Sequence, residues 1–155
     1  HPGLNSYSKL EDHYNIVNPG VFSGQGTLVY KPQLGDNGER FASFDGLSAK
    51  WQTGAEYAAL YPNVLLGIHK DHFSIMMIEP VSHERIGGDR IEVFKAAMRA
   101  RNTEMWRQVF AEDVFVVEGM QKGRRAPGFD GGKFSPAMDA ATHCFHDWVA
   151  RQFAA

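Results

Sequence analysis

The sequence predicts an α+β fold, with helices packed on an antiparallel sheet. Three observations predict it. Between residues 21 and 98 the apolar runs are short and separated by turn residues, the pattern of a strand meander. From about residue 102 the apolar period changes from two to 3.6. Strands followed by helices, rather than alternating with them, argue against a parallel α/β sheet. The chain has 155 residues, 43% hydrophobic and 22% charged, a balance that suits one globular domain over 1–155.

Residues 1–20 read as irregular, punctuated by Pro2, Gly3, Pro19 and Gly20. VFSGQGTLVYK, 21–31, reads as a strand weakened or bulged by Gly24 and Gly26. Residues 33–50 are a polar, Gly-rich loop, and 54–61 a short turn or helix. YPNVLLGIHK, 61–70, and HFSIMMIEP, 72–80, form two strands joined tightly near Asp71. Residues 81–88 are a turn, and DRIEVFKAAM, 89–98, a third strand. A helix capped by Asn102 or Thr103 runs to about Lys122, with Gly123 as its stop. After a Gly-rich loop over 124–134, Ser135 caps a last helix with Pro136 at its first position. Its apolar stripe is Met138, Ala141, Thr142, Phe145, Trp148 and Val149.

Composition excludes several classes. The net charge of −2 leaves no electrostatic footprint for nucleic acid. No apolar run has membrane-spanning length. With no signal peptide, the expected compartment is the cytoplasm. The single cysteine, Cys144, forms no internal disulfide and anchors no iron–sulfur cluster by itself. It reads as a small buried hydrophobe.

The first helix carries an anomaly. Positions 106, 109, 110, 113, 117 and 120 share one face at helical spacing, and Asp113 stands among Trp106, Val109, Phe110, Val117 and Met120. An unpaired buried carboxylate costs several kcal/mol or takes up a proton. It therefore pairs with Arg or Lys, lies on the rim beside Glu112, or binds a cation. The seven histidines are His1, His13, His69, His72, His83, His143 and His146. His143 and His146 share a side of the last helix and read as a partly exposed pair. His69 and His72 flank a turn and read as surface positions. None makes a strong metal signature alone.

Five segments, in order, resemble the catalytic domain of the Rieske non-haem iron (aromatic-ring-hydroxylating) oxygenase alpha subunit. EDVFVVEGMQKG supplies an acidic residue, Asp113, followed by Glu118, Gln121 and Gly123. YPNVLLGIHKDH resembles the family's aromatic-Pro-Asn strand, and Glu79-Pro80 the start of its next hairpin. HCFHDWV, 143–149, resembles its closing helix. HPGL, 1–4, resembles the end of its iron-binding segment.

The resemblance implies a helix-grip, START-like fold, in which a curved antiparallel sheet packs on a long C-terminal helix. It implies His1 and Asp113 as ligands of a mononuclear Fe(II), with Asp113 catalytic. With a further histidine they complete a facial triad that leaves open positions on the metal. That role would account for a carboxylate on the inner face. Glu118 and Gln121 are helix-surface or supporting groups. The implied reaction is O2-dependent hydroxylation, dihydroxylation or oxidative dealkylation of a small organic substrate. Electrons come from a reductase or ferredoxin through a Rieske [2Fe–2S] centre. Asn63, Leu65, Phe73, Ile75 and Met77 are candidate pocket walls. Similarity of 61–72 to the quaternary-amine branch would call for an aromatic cage, for which Trp51, Tyr57, Tyr61 and Phe73 are available.

The sequence also departs from the family. The first histidine ligand belongs five residues before His1, and the Rieske cysteines and histidines further upstream. The expectation is a segment truncated on its N-terminal side, holding iron weakly or not at all and inactive alone. The family's homotrimer is a possible assembly for the intact protein. The alternative is a non-enzymatic helix-grip module that binds a hydrophobic ligand. A third reading, a segment with no independent role, would expose apolar surface and oligomerise.

Overall fold

The computed structural model describes residues 9–31, 40–82, 85–87, 90–93 and 99–155. The chain divides into two compact units, His1–Val93 with Ser135–Ala155, and Phe94–Phe134.

The first unit is built on a six-stranded antiparallel sheet. Its strands are β1 (His13–Asn18), β2 (Phe22–Thr27), β3 (Ala55–Leu60), β4 (Val64–Ile68), β5 (Phe73–Met77) and β8 (Arg90–Val93), which lie in that spatial order. A short helix, α1 (Ala49–Thr53), precedes β3. A separate hairpin of β6 (Glu79–Ser82) and β7 (Arg85–Gly87) stands between β5 and β8 in the chain. Each of the six pairs with the next in chain order, with α1 inserted before β3 and the β6–β7 hairpin before β8, so the antiparallel meander read from the sequence holds.

Three sequence expectations are corrected. Residues 13–18 are a strand and not irregular, because Pro19 and Gly20 mark a hairpin turn rather than a loop. The Val21 amide donates to the Asn18 carbonyl at 3.1 Å, and Gly20 has φ 83°. Pro at the second position and a left-handed Gly at the third give a type II turn. Residues 55–60 are a strand and not a turn or helix. AEYAAL has weak strand propensity, but ladders with both β2 and β4 override it. The stretch 79–87 pairs as a hairpin with an irregularity between Pro80 and Ser82.

Residues directly opposite in adjacent antiparallel strands share a sheet face. The registers therefore set Leu60, Val64, Leu66, Ile68, Phe73, Ile75 and Met77 on one face. Ser23, Ala59, Leu65 and Met76 lie on the other. The first face is strongly apolar yet only half-buried, and Met77 is exposed.

The second face carries the C-terminal helix, α3 (Ala140–Ala154), against β2 and β1. The Ser23 hydroxyl donates to the Ala141 carbonyl at 2.9 Å, and Gln25 Nε2 to the Met138 carbonyl at 3.4 Å. Tyr61 stacks its ring against Phe145 and Trp148, with centroids 5.3 and 5.2 Å away. Of the expected stripe, Met138, Ala141, Phe145, Trp148 and Val149 face inward, while Thr142 is exposed. The helix begins later than expected. Asp139 turns its carboxylate back to accept the Ser135 amide at 2.7 Å, so 135–139 closes as a turn and Ser135 caps nothing. Cys144 is half-buried, as a packing residue would be. Burial raises the Tyr61 phenol above its ordinary range, and the adjacent Cys144 thiol adds to this. The Tyr61 hydroxyl has no partner at hydrogen-bond geometry among the described residues.

A polar strut ties α1 to the sheet. Glu56 Oε1 accepts from the Tyr14 hydroxyl at 2.7 Å and pairs with the Lys50 ammonium at 2.5 Å. Burial alone would raise the Glu56 carboxyl, but hydrogen bonds from Lys50 and Tyr14 outweigh it and hold the group below the ordinary carboxylate range. A carboxyl depressed by folding adds stability above its unfolded pKa, and that increment is lost as pH falls through the folded value. Lys50 is about half exposed, so solvent screening limits the pair to less than about 1 kcal/mol. Glu56→Gln is expected to lower the urea midpoint slightly at neutral pH and to converge with wild type in acid. An unchanged gap across pH 7 to 3 would count against the assignment.

The second unit contains α2 (Arg99–Gly123), which ends at the glycine expected to stop it. Its last turn closes through the Arg124 amide to the Met120 carbonyl at 3.0 Å.

Candidate functional site

Asp113 lies on α2 and is half-buried, in line with Trp106 and Phe110 at spacings of seven and three residues. Those two rings stack with centroids 5.8 Å apart. Gln121, two turns further on, is also half-buried, whereas Glu112 and Glu118 are exposed. The expected inner face is therefore shorter than the sequence suggested. Val117 and Met120 are 55% and 54% exposed, and Phe115 is 79% exposed. Helical spacing says which side chains share a face, but not how far a covering surface extends.

His1 lies outside the described residues, and so does His83. His143 and His146 are exposed on α3. Among the described residues no group of three or more His, Cys, Asp and Glu side chains gathers as a metal site. Asp113 is thus the one proposed iron ligand whose place is described. A half-buried carboxylate oxygen has the chemistry of the acidic member of a facial triad.

The five expected pocket residues do not form one wall. Phe73, Ile75 and Met77 share the apolar face, whereas Leu65 lies on the face that carries α3. Asn63 brackets the end of the β4–β5 ladder. Its side-chain amide donates to the Ile78 carbonyl at 3.0 Å, and its own carbonyl accepts the Ile78 amide at 2.9 Å.

Among the described residues, one buried polar cluster includes two histidines, His69 and His72, that the sequence predicts at the surface. His69, Asp71 and His72, in the β4–β5 turn, are 2%, 6% and 1% exposed. His72 Nδ1 lies 2.8 Å from Asp71 Oδ1, and His69 Nε2 lies 2.9 Å from the Tyr57 hydroxyl. The two imidazoles stack, with centroids 3.9 Å apart and planes at 13°. Tyr30 adds its ring to His69 and donates its hydroxyl to Asp71 Oδ1 at 3.4 Å. Phe41 packs its ring 6.0 Å from His72. The clue was compositional: HKDH puts three chemically matched groups within four residues, and matched polar groups can be buried together.

An open antiparallel sheet bearing a C-terminal helix defines an α+β domain suited either to catalysis or to ligand binding. A family model for the ring hydroxylating alpha subunit (catalytic domain) matches residues 1–155, and the chain belongs to that family. No curated protein matches it. The family comprises oxygenase alpha subunits that use non-haem iron. No helix among the described residues is long and apolar enough to cross a membrane.

Proposed function

We infer that the chain is part of the catalytic domain of a mononuclear non-haem iron oxygenase, with Asp113 as the carboxylate ligand and His1 as one histidine ligand. Family membership over the whole chain carries this reading, and the half-buried position of Asp113 supports it. Bound iron would supply dioxygen activation for hydroxylation, dihydroxylation or oxidative dealkylation, fed by electrons from a Rieske centre and its reductase or ferredoxin. The role of this chain's residues is to hold the ion through Asp113 and to place the substrate. Leu65, on the sheet face that carries α3, fits a pocket wall in a helix-grip domain. Phe73, Ile75 and Met77 would serve only a site on the opposite face.

That apolar face, half-buried as it stands, favours the second reading, a carrier of a hydrophobic ligand. The two are separated by measuring iron content and substrate-dependent dioxygen uptake on the intact natural protein with an electron donor. Iron retention with uptake is expected. Ligand binding without either would transfer the assignment to the carrier.

A further inference from the structure

We propose that one face of α2, made by Glu112, Phe115, Val116, Gly119 and Lys122, packs antiparallel on the same face of a second copy of this chain, about a two-fold axis level with residue 117.

The face follows from helix geometry. At about 100° per residue, Glu112, Phe115, Gly119 and Lys122 fall along one side of α2, with Val116 at its margin, and all five are exposed. Trp106, Phe110, Asp113 and Gln121, which are half-buried, fall on the opposite side. Val117 and Met120 belong to that opposite side and take no part. Phe115 is 79% and Val116 55% exposed. Apolar surface rimmed by charge in this way marks a contact surface, and burial of the ring drives the association.

The occupant follows from self-complementarity. In an antiparallel pair related by a two-fold axis, positions equidistant from the axis come to one level, and each contact occurs twice. With the axis level with 117, Phe115 meets Gly119 of the second copy, and Glu112 meets Lys122 of the second copy. Large therefore meets small. A Cβ on Gly119 would find nothing within 4 Å, so the space over this glycine is open to an incoming ring, as a hole is to a knob. Negative also meets positive. The charges select the antiparallel arrangement, because a parallel two-fold pair would set Glu112 against Glu112 and Lys122 against Lys122.

A contact of one helix face is smaller than the roughly 1,200–2,000 Å² of a standard stable interface, so the pairing is concentration-dependent. The side of α2 that carries Asp113 stays outside it, and the proposal is independent of the oxygenase reading.

Sedimentation velocity of the intact natural protein over a wide concentration range tests it. The smallest species is expected to double its mass as concentration rises. Phe115→Ala and Gly119→Leu are each expected to weaken that step by at least about tenfold. Leucine at 119 has space in a lone helix and is the better helix former, so its effect reports the second copy and not the fold. Lys122→Glu is expected to weaken pairing, and addition of Glu112→Lys to restore it. The two positions are about 15 Å apart along one helix, so no contact within a single α2 accounts for such a restoration. A mass that changes neither with concentration nor with these substitutions overturns the proposal. So does a doubling that Phe115→Ala and Gly119→Leu leave intact, or a charge-exchanged double variant that pairs no better than Lys122→Glu. If Phe115→Ala does not fold, Gly119→Leu and the charge exchange decide.

Discussion

Asp113→Asn in the intact oxygenase is expected to remove iron from the mononuclear site and with it substrate-dependent dioxygen uptake. Asparagine keeps the size and one oxygen donor but loses the negative charge that partners a divalent cation. Changes to groups that merely support a metal ligand cost about 10- to 100-fold in affinity or activity, and removal of the ligand charge itself should cost at least that. The fold should tolerate the change. Asp113 is half-buried on α2, and substitutions away from a packed core usually stay within about 0.5 kcal/mol. The measurements are metal content, dioxygen uptake and the thermal midpoint of wild type and variant side by side. Retained iron with normal uptake would exclude Asp113 as a ligand. Loss of iron together with a collapsed midpoint would make Asp113 a structural residue instead. In a carrier, Asp113→Asn would leave hydrophobic-ligand binding unchanged.

The sequence made the architecture legible where local chemistry and tertiary context agree. VLLGI and FSIMM are rich in apolar residues, and both are strands joined by a short turn. The α2 stop at Gly123 was readable from a glycine at the end of a periodic run. AEYAAL was misread because its place in the sheet comes from partners on both sides, which its own residues do not announce. HYNIVN was misread because the turn that makes it half of a hairpin lies after it. The start of α3 moved to Ala140 because the Asp139 carboxylate bonds backwards to Ser135, a choice no propensity records.

The site divides in the same way. Helical spacing placed Asp113 in line with Trp106 and Phe110, and their shared partial burial agrees. The same spacing wrongly extended the covered face to Val117 and Met120, because periodicity carries no information about the extent of the opposing surface. The sequence predicts His69 and His72 as turn residues on the surface. Turn residues are usually exposed, and the exception here needs Tyr30 and Phe41, which lie about 30 to 40 positions earlier in the chain and so are outside any local pattern.

Asp71→Ala is expected to be among the most destabilising substitutions in the sheet unit. The Asp71 carboxylate and the His72 ring are 0% and 1% exposed. Removal of one member of a buried hydrogen-bonded pair takes that partner from the other, and such truncations cost about 1–3 kcal/mol. The Tyr30 hydroxyl would lose its acceptor as well. Asp71→Asn separates charge from hydrogen bonding. Its amide oxygen can still accept from the His72 Nδ1–H, so the loss at pH 8 should be smaller than for alanine. Urea unfolding at pH 8 measures this through the midpoint at constant m-value. An alanine variant within about 1 kcal/mol of wild type, the typical effect of an ordinary substitution, would show that Asp71 is not what makes burial of His72 tolerable. Equal losses for asparagine and alanine at pH 8 would show that the charge, and not the hydrogen bond, carries the interaction.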